Sequence, residues 1–189
     1  CPDRNITVFL FGRANGGWNL QAEIEGSPEE PMLGGYSYDS EGQVEAFDLS
    51  ADGRTLAIAS PFAAAPDNGV GLVRFYERAN GYWSPDGVTL CPSIVERGVF
   101  GLRLTLSANG RTVAVTADRD DGVYGEPFVV VFARQNGVWT ETAALHSPLY
   151  PDYTTFGNAL SLSSSGARLA VGSSSYNTAD TSWGAALIY

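Results

Sequence analysis

Three hexapeptides decide how this chain is read: RANGGW at Arg13 to Trp18, RANGYW at Arg78 to Trp83, and RQNGVW at Arg134 to Trp139. Each centres on Asn-Gly, the pair best able to supply two successive residues with positive φ, as a tight hairpin turn requires. The residues before the later two copies, GLVRFYE from Gly71 and FVVVFAR from Phe128, are rich in branched and aromatic side chains. Together these features make each hexapeptide the turn between two antiparallel strands, with Trp opening the second strand.

Working outward from the hexapeptides brings a second motif into register. FDLSADGRTLAIAS from Phe47, LTLSANGRTVAVTA from Leu104 and LSLSSSGARLAVGS from Leu160 each alternate apolar and small or polar residues, reverse at S-x-x-G, and alternate again. Ala57, Ala114 and Ala170 sit between the aliphatic pairs Leu56/Ile58, Val113/Val115 and Leu169/Val171, small in every copy, as expected where a neighbouring sheet approaches closely. Gly53 to Gly110 spans 57 residues, Gly110 to Gly166 spans 56, and Trp83 to Trp139 spans 56; only Trp18 to Trp83, at 65, is stretched. A third strand of the last copy is GAALIY, Gly184 to Tyr189.

Four short antiparallel strands repeated at this period, without helical periodicity, predict an all-β chain built of β-propeller blades. A β-sandwich or a parallel β-helix accounts less well for three matched hairpin units. The expected organisation is one repeat domain over 1–189: the end of a preceding blade in 1–25, blades in 44–90 and 100–145, and an incomplete blade in 156–189. About three blades fall short of the roughly four to eight that close a ring. The expectation is therefore a window from a larger propeller, completed by further blades in cis, or alternatively by a homo-oligomer; the first residue, Cys1 rather than Met, also suggests a processed or excised piece.

Composition narrows the partners. The chain has 21 acidic residues against 11 basic ones, a net charge of −10, and every basic residue is Arg. Nucleic acid and anionic lipid are poor partners for such a surface, and no apolar run is long enough for membrane insertion as a helix. A cation, a basic protein or a neutral glycan fits better. Two cysteines, Cys1 and Cys91, exclude a cysteine-built zinc site within the chain and leave open whether they pair. Asn5 begins an N-I-T sequon, which takes a glycan only if the protein is secreted.

At FGLRLTLSANGRTVAVTA from Phe100 and FGNALSLSSSGARLAVGSSS from Phe156, each followed by a strand with an aromatic end, the chain resembles the FG-GAP repeats of integrin α-like propellers. It departs from them where Gln43-Val44 replaces Phe-Gly in the first full unit, and where GAP is found only in altered forms such as ASP at Ala59 to Pro61. The acidic calcium loops of that family are replaced by SADG, SANG and SSSG, so the resemblance is to a calcium-loop-free variety and those sites do not carry over. The resemblance implies an extracellular or cell-surface platform for ligand binding or adhesion. WD-type repeats are a weaker match, because their usual period is about 40 to 45 residues and the G-H and W-D dipeptides are missing.

In a four-stranded meander, the turns joining strands one to two and three to four lie on one side, and the remaining connections on the other. The second side takes the longer segments 25–43, 60–70, 84–98, 117–127, 146–155 and 173–183, which hold 14 of the 21 acids, six of the nine tyrosines and only Arg97 and Arg119 among the arginines. The expected ligand-binding face comprises Tyr36, Tyr38, Tyr124, Tyr150, Tyr153, Tyr176 and Trp183, offered to a protein or glycan. DRDDGVYGE offers Asp118, Asp120, Asp121 and Glu126 as a candidate Ca²⁺ site, set against the plainer reading of solvated charge.

For catalysis the sequence offers one histidine, His146, with neither a second histidine for a metal pair nor a G-x-S-x-G elbow. The resulting expectation is a non-enzymatic recognition or adhesion module. The alternatives are a structural segment of a larger surface protein, or part of a propeller enzyme whose active site lies in other blades.

Overall fold

The structure is a computed structural model that describes residues 7–25, 46–64, 70–92, 98–120, 125–148, 155–178 and 181–189. These residues form thirteen strands and no helix. The first sheet pairs β1 (Thr7–Ala14) with β2 (Gly17–Glu25). The second is a meander of β3 (Ala46–Leu49), β4 (Thr55–Ala64), β5 (Val70–Ala79) and β6 (Tyr82–Leu90). The third repeats it with β7 (Gly98–Leu106), β8 (Thr112–Asp120), β9 (Gly125–Gln135) and β10 (Val138–His146). The fourth contains β11 (Ala159–Leu162), β12 (Leu169–Thr178) and β13 (Thr181–Ile188). Every pairing is antiparallel.

The hexapeptides are the β1–β2, β5–β6 and β9–β10 turns. Asn15, Asn80 and Asn136 have φ of 53°, 52° and 52°, and the glycine after each is also positive, so both turn residues occupy the region that Asn-Gly tolerates best. Arg and Trp then face each other across the ladder, as Arg13–Trp18, Arg78–Trp83 and Arg134–Trp139.

The S-x-x-G turns are built by their first serine. The Ser50 hydroxyl accepts hydrogen bonds from the backbone N–H of Thr55 at 2.9 Å and of Arg54 at 3.3 Å, and donates to Asp52 Oδ1 at 2.6 Å. Ser107 repeats this, accepting from Thr112 and Arg111 and donating to Asn109 Oδ1 at 2.8 Å. The Ser50 hydroxyl, the Arg54 backbone N–H and the Arg54 charge hold the Asp52 carboxyl below the ordinary aspartate pKa of 3.8. A carboxyl so lowered adds stability above that pH and gives it up as pH falls through the lowered value. Asn109 makes the same bonds without charge, so Asp52→Asn is expected to keep the turn and lose only the charge-dependent part. Melts of both proteins from pH 7 to pH 2 check this: a small deficit of the variant at neutral pH should close in acid, and a gap independent of pH would refute it.

The sheets pack in chain order, each using two different faces. Strand alternation gives the second sheet a leading face of Ala57, Ala59, Val73 and Phe75, which packs on the trailing face of the third sheet at Leu106, Val113, Val115, Val130, Phe132 and Trp139. The first sheet leads with Val8, Leu10 and Ile24 against Leu56, Ile58 and Tyr76. The third leads with Ala114 and Val129 against Phe156, Leu169 and Val171. Alanines on the leading second strand let the bulky trailing side chains of the next sheet come close, which is the role their small size suggests. Full burial of each Leu, Ile or Val at these junctions is worth about 1.5–3 kcal/mol.

Polar contacts tie the same junctions. Asp48 Oδ2 in β3 accepts from the Leu106 backbone N–H at 2.8 Å and from the Thr105 hydroxyl at 3.3 Å in β7. Turn reaches turn as well: the Ala51 N–H donates to Ala108 O at 2.9 Å, and the Asn109 N–H to Ser164 O at 3.3 Å. Thr116 in β8 donates to Gly157 O at 2.6 Å, linking the third sheet to the Phe156-Gly157 pair of the fourth unit.

Exposure and strand length depart from what the repeat pattern alone suggests. Phe47 and Leu49 align with Leu104 and Leu106 in sequence, yet they are 61% and 42% exposed whereas Leu106 is buried. The first sheet contributes only two strands, so among the described residues no inner strand covers β3. The described residues of 60–70, 117–127 and 173–183, read as long loops, are ladder: β4–β5, β8–β9 and β12–β13 continue outward as hairpin arms, two of them past register shifts after Ser60 and Ser173; 84–98, also read as a loop, belongs to β6 as far as Leu90. The short polar and alanine-rich sequences of the arms hide strands that backbone pairing sustains beyond the packed core.

Candidate functional site

Of the residues singled out for recognition, those the structure describes lie along the hairpin arms. Asp118 and Asp120 close β8, paired with Pro127 and Gly125, while Glu126 opens β9 opposite Arg119. Tyr176 and Trp183 are direct cross-strand partners in the β12–β13 arm. Tyr36, Tyr38, Tyr124, Tyr150, Tyr153 and Asp121 lie outside the described residues, as do Cys1 and Asn5. Among the described residues no three His, Cys, Asp or Glu side chains gather into a group that could hold a metal ion. No helix among them is long and apolar enough to cross a membrane.

His146, read as a loop residue, ends β10 opposite Phe128, with its ring stacked on the Phe128 ring at 5.2 Å between centroids and 18° between planes. Cys91 is half-buried just beyond β6.

The opposite side, closed by tight turns, holds an arrangement that the sequence reading missed. An open groove of about 580 Å³ lies between the S-x-x-G and Asn-Gly turns of the third sheet, lined by Asn109, Gly110, Arg111, Arg134, Asn136 and Gly137 among others. A second, of about 550 Å³, occupies the equivalent place in the second sheet between Asp52, Arg54, Arg78 and Asn80. One turn of each type lining a common groove places both types at the same end of the sheets. The signal was present in the sequence, because the S-x-x-G and R-x-N-G motifs each carry an arginine at the turn and so give every full unit a pair.

Arg134 reaches across to the preceding sheet. Its Nη1 donates to Glu77 Oε1 of the preceding sheet at 2.8 Å, and its Nη2 stands 3.2 Å from Asp86 Oδ2, close enough for an ion pair but off hydrogen-bond alignment. Its guanidinium lies 5.8 Å from the ring centre of Trp139, which in turn stacks on Phe75 at 4.4 Å and 17°. Thr55 also donates to Glu77. Arg and Trp of the hexapeptide thus form a staple between consecutive sheets, in which the ring supplies dispersion and the guanidinium supplies charge.

Neither a protein-family model nor a curated protein matches this chain. The arrangement of its own residues therefore carries the functional reading.

Proposed function

We propose that the chain is an extracellular, non-enzymatic recognition or adhesion module of FG-GAP-like propeller type, presenting a protein or glycan ligand with the side that bears its hairpin arms and inter-sheet connections. The observation that carries this reading is the two-sidedness of the repeat. The turns at one end are tight and arginine-bearing, whereas the segments that the repeat pattern assigns to the other end hold, in sequence, 14 of the 21 acids and six of the nine tyrosines. Variable segments on a repeated scaffold are where recognition residues concentrate. Tyrosine suits the task because it offers a large contact area with little side-chain entropy to lose.

The test is binding of the purified chain to an array of neutral and cationic glycans, repeated with Tyr150→Ala/Tyr153→Ala and, as a control on the opposite side, Arg54→Ala/Arg111→Ala. Any glycan that is retained should bind the tyrosine variant roughly tenfold more weakly, about 1.4 kcal/mol, and the arginine variant as it binds wild type. The reverse pattern would move recognition to the arginine-lined grooves and overturn the proposal.

A further inference from the structure

One face of the molecule is apolar and open. In the β1–β2 hairpin, alternation directs Val8, Leu10 and Ile24 into the core and places Phe9, Phe11 and Arg13 of β1, with Leu20 and Trp18 opposite them, on the other side. Phe9 is 55% exposed, Phe11 57%, Trp18 71% and Leu20 48%. By motif register Phe11 is the counterpart of Tyr76 and Phe132, and Trp18 of Trp139. Those counterparts are 7%, 4% and 9% exposed, because the leading face of the preceding sheet covers them. The open surface is therefore the trailing face of a standard junction.

A matching leading face is also open. On the fourth sheet, Ala170 pairs with Ser161 and Ile188, just as Ala57 pairs with Asp48 and Phe75 on the second. Phe75, which receives the Trp139 ring, is 1% exposed, whereas Ile188 is 76% exposed. Ala159, Gly172 and Ala186 continue this surface with small side chains, as Ala46 and Ala59 do on the second sheet.

We infer that these two faces bind each other between copies of the chain: the β11–β13 sheet of one copy seats the β1–β2 hairpin of the next, head to tail. Trp18 takes the place over Ile188 that Trp139 takes over Phe75, and Phe11 packs with Ala170 in one cluster as Phe132 does with Ala57. The contact repeats a junction that the chain already makes three times. It is heterologous, so it propagates into chains or closes into a ring rather than stopping at a two-fold dimer. It stands independently of the ligand proposed for the hairpin-arm side.

Sedimentation velocity from about 1 to 100 µM tests it, in a range where interfaces of moderate size associate. The wild-type chain should show a weight-average mass that rises with concentration beyond that of a dimer. Trp18→Arg and Ile188→Arg each block one face and should be monomeric alone, yet an equimolar mixture should form a 1:1 dimer through the single junction left intact. Phe11→Arg should behave as Trp18→Arg, and far-UV circular dichroism should show all variants folded, since the replaced side chains are solvent-facing. A wild-type chain that stays monomeric throughout would overturn the inference. So would continued association of Ile188→Arg alone, which would mark a symmetric contact between two β1–β2 hairpins.

Discussion

Trp139→Ala is expected to destabilise the protein by about 3–4 kcal/mol, whereas Trp18→Ala, at the same place in the same motif, should change stability by about 0.5 kcal/mol or less. The two tryptophans differ only in what stands in front of them. Trp139 is 9% exposed and stacked on Phe75 of the preceding sheet, and its removal opens a cavity at a sheet junction and strands Phe75. It also deprives the Arg134 guanidinium of the ring beside it. Trp18 is 71% exposed and touches no such partner. Measured by thermal unfolding at a concentration where the chain is monomeric, the Trp139 variant should melt roughly 8–14 °C lower. Equal effects at the two positions would mean that the hexapeptide stabilises its own hairpin and does not staple sheets.

A single added methyl group should do comparable damage at Gly71. This residue opens the packed part of β5 with φ of 98°, and a Cβ built there would lie 2.0 Å from Phe100 O and 2.8 Å from Pro61 O. Both obstacles are backbone atoms, one in the same sheet and one in the next, so neither can swing aside. Gly71→Ala combines an unfavourable backbone conformation with forced separation of the second and third sheets, and is expected to cost about 3–5 kcal/mol. Gly81→Ala is the control: its φ is 87°, but nothing lies within 4 Å of its Cβ, so only the conformational cost of about 1 kcal/mol remains. Chemical denaturation of both variants separates the two contributions. Near-equal midpoints would show that the sheets yield to let the methyl in.

These positions illustrate how much of the architecture the sequence made legible. The Asn-Gly turns, the S-x-x-G reversals and the period of 56 to 57 residues were plain, because turn chemistry is local and the repeat states it several times. Less was visible wherever a distant neighbour decides the outcome. Phe47 and Leu49 carry the same pattern as their counterparts and are nevertheless exposed, since exposure depends on whether the sheet in front of β3 has inner strands. The hairpin arms were read as loops because serine, alanine and aspartate do not advertise strands, although backbone pairing holds them as such. Of the candidate recognition site, residue types alone were legible, and only Tyr176 and Trp183 fall among the described residues, as cross-strand partners. The mutual geometry of the site depends on segments that no turn signature constrains. The arginine-lined grooves were missed because each arises from two turns about two dozen residues apart, and only folding brings those together.

The turn-to-turn hydrogen bonds bear on how such a chain changes length over generations. Ala51 donates forward to Ala108, and Asn109 forward to Ser164, so the middle turn receives a donor from its predecessor and gives one to its successor. A tandem duplication of one period would insert a unit that accepts from the turn before it and donates to the turn after it, leaving every existing bond and packed face with a suitable partner. Unit number is then free to drift by recombination at little cost to stability, while the connections at the other end diversify.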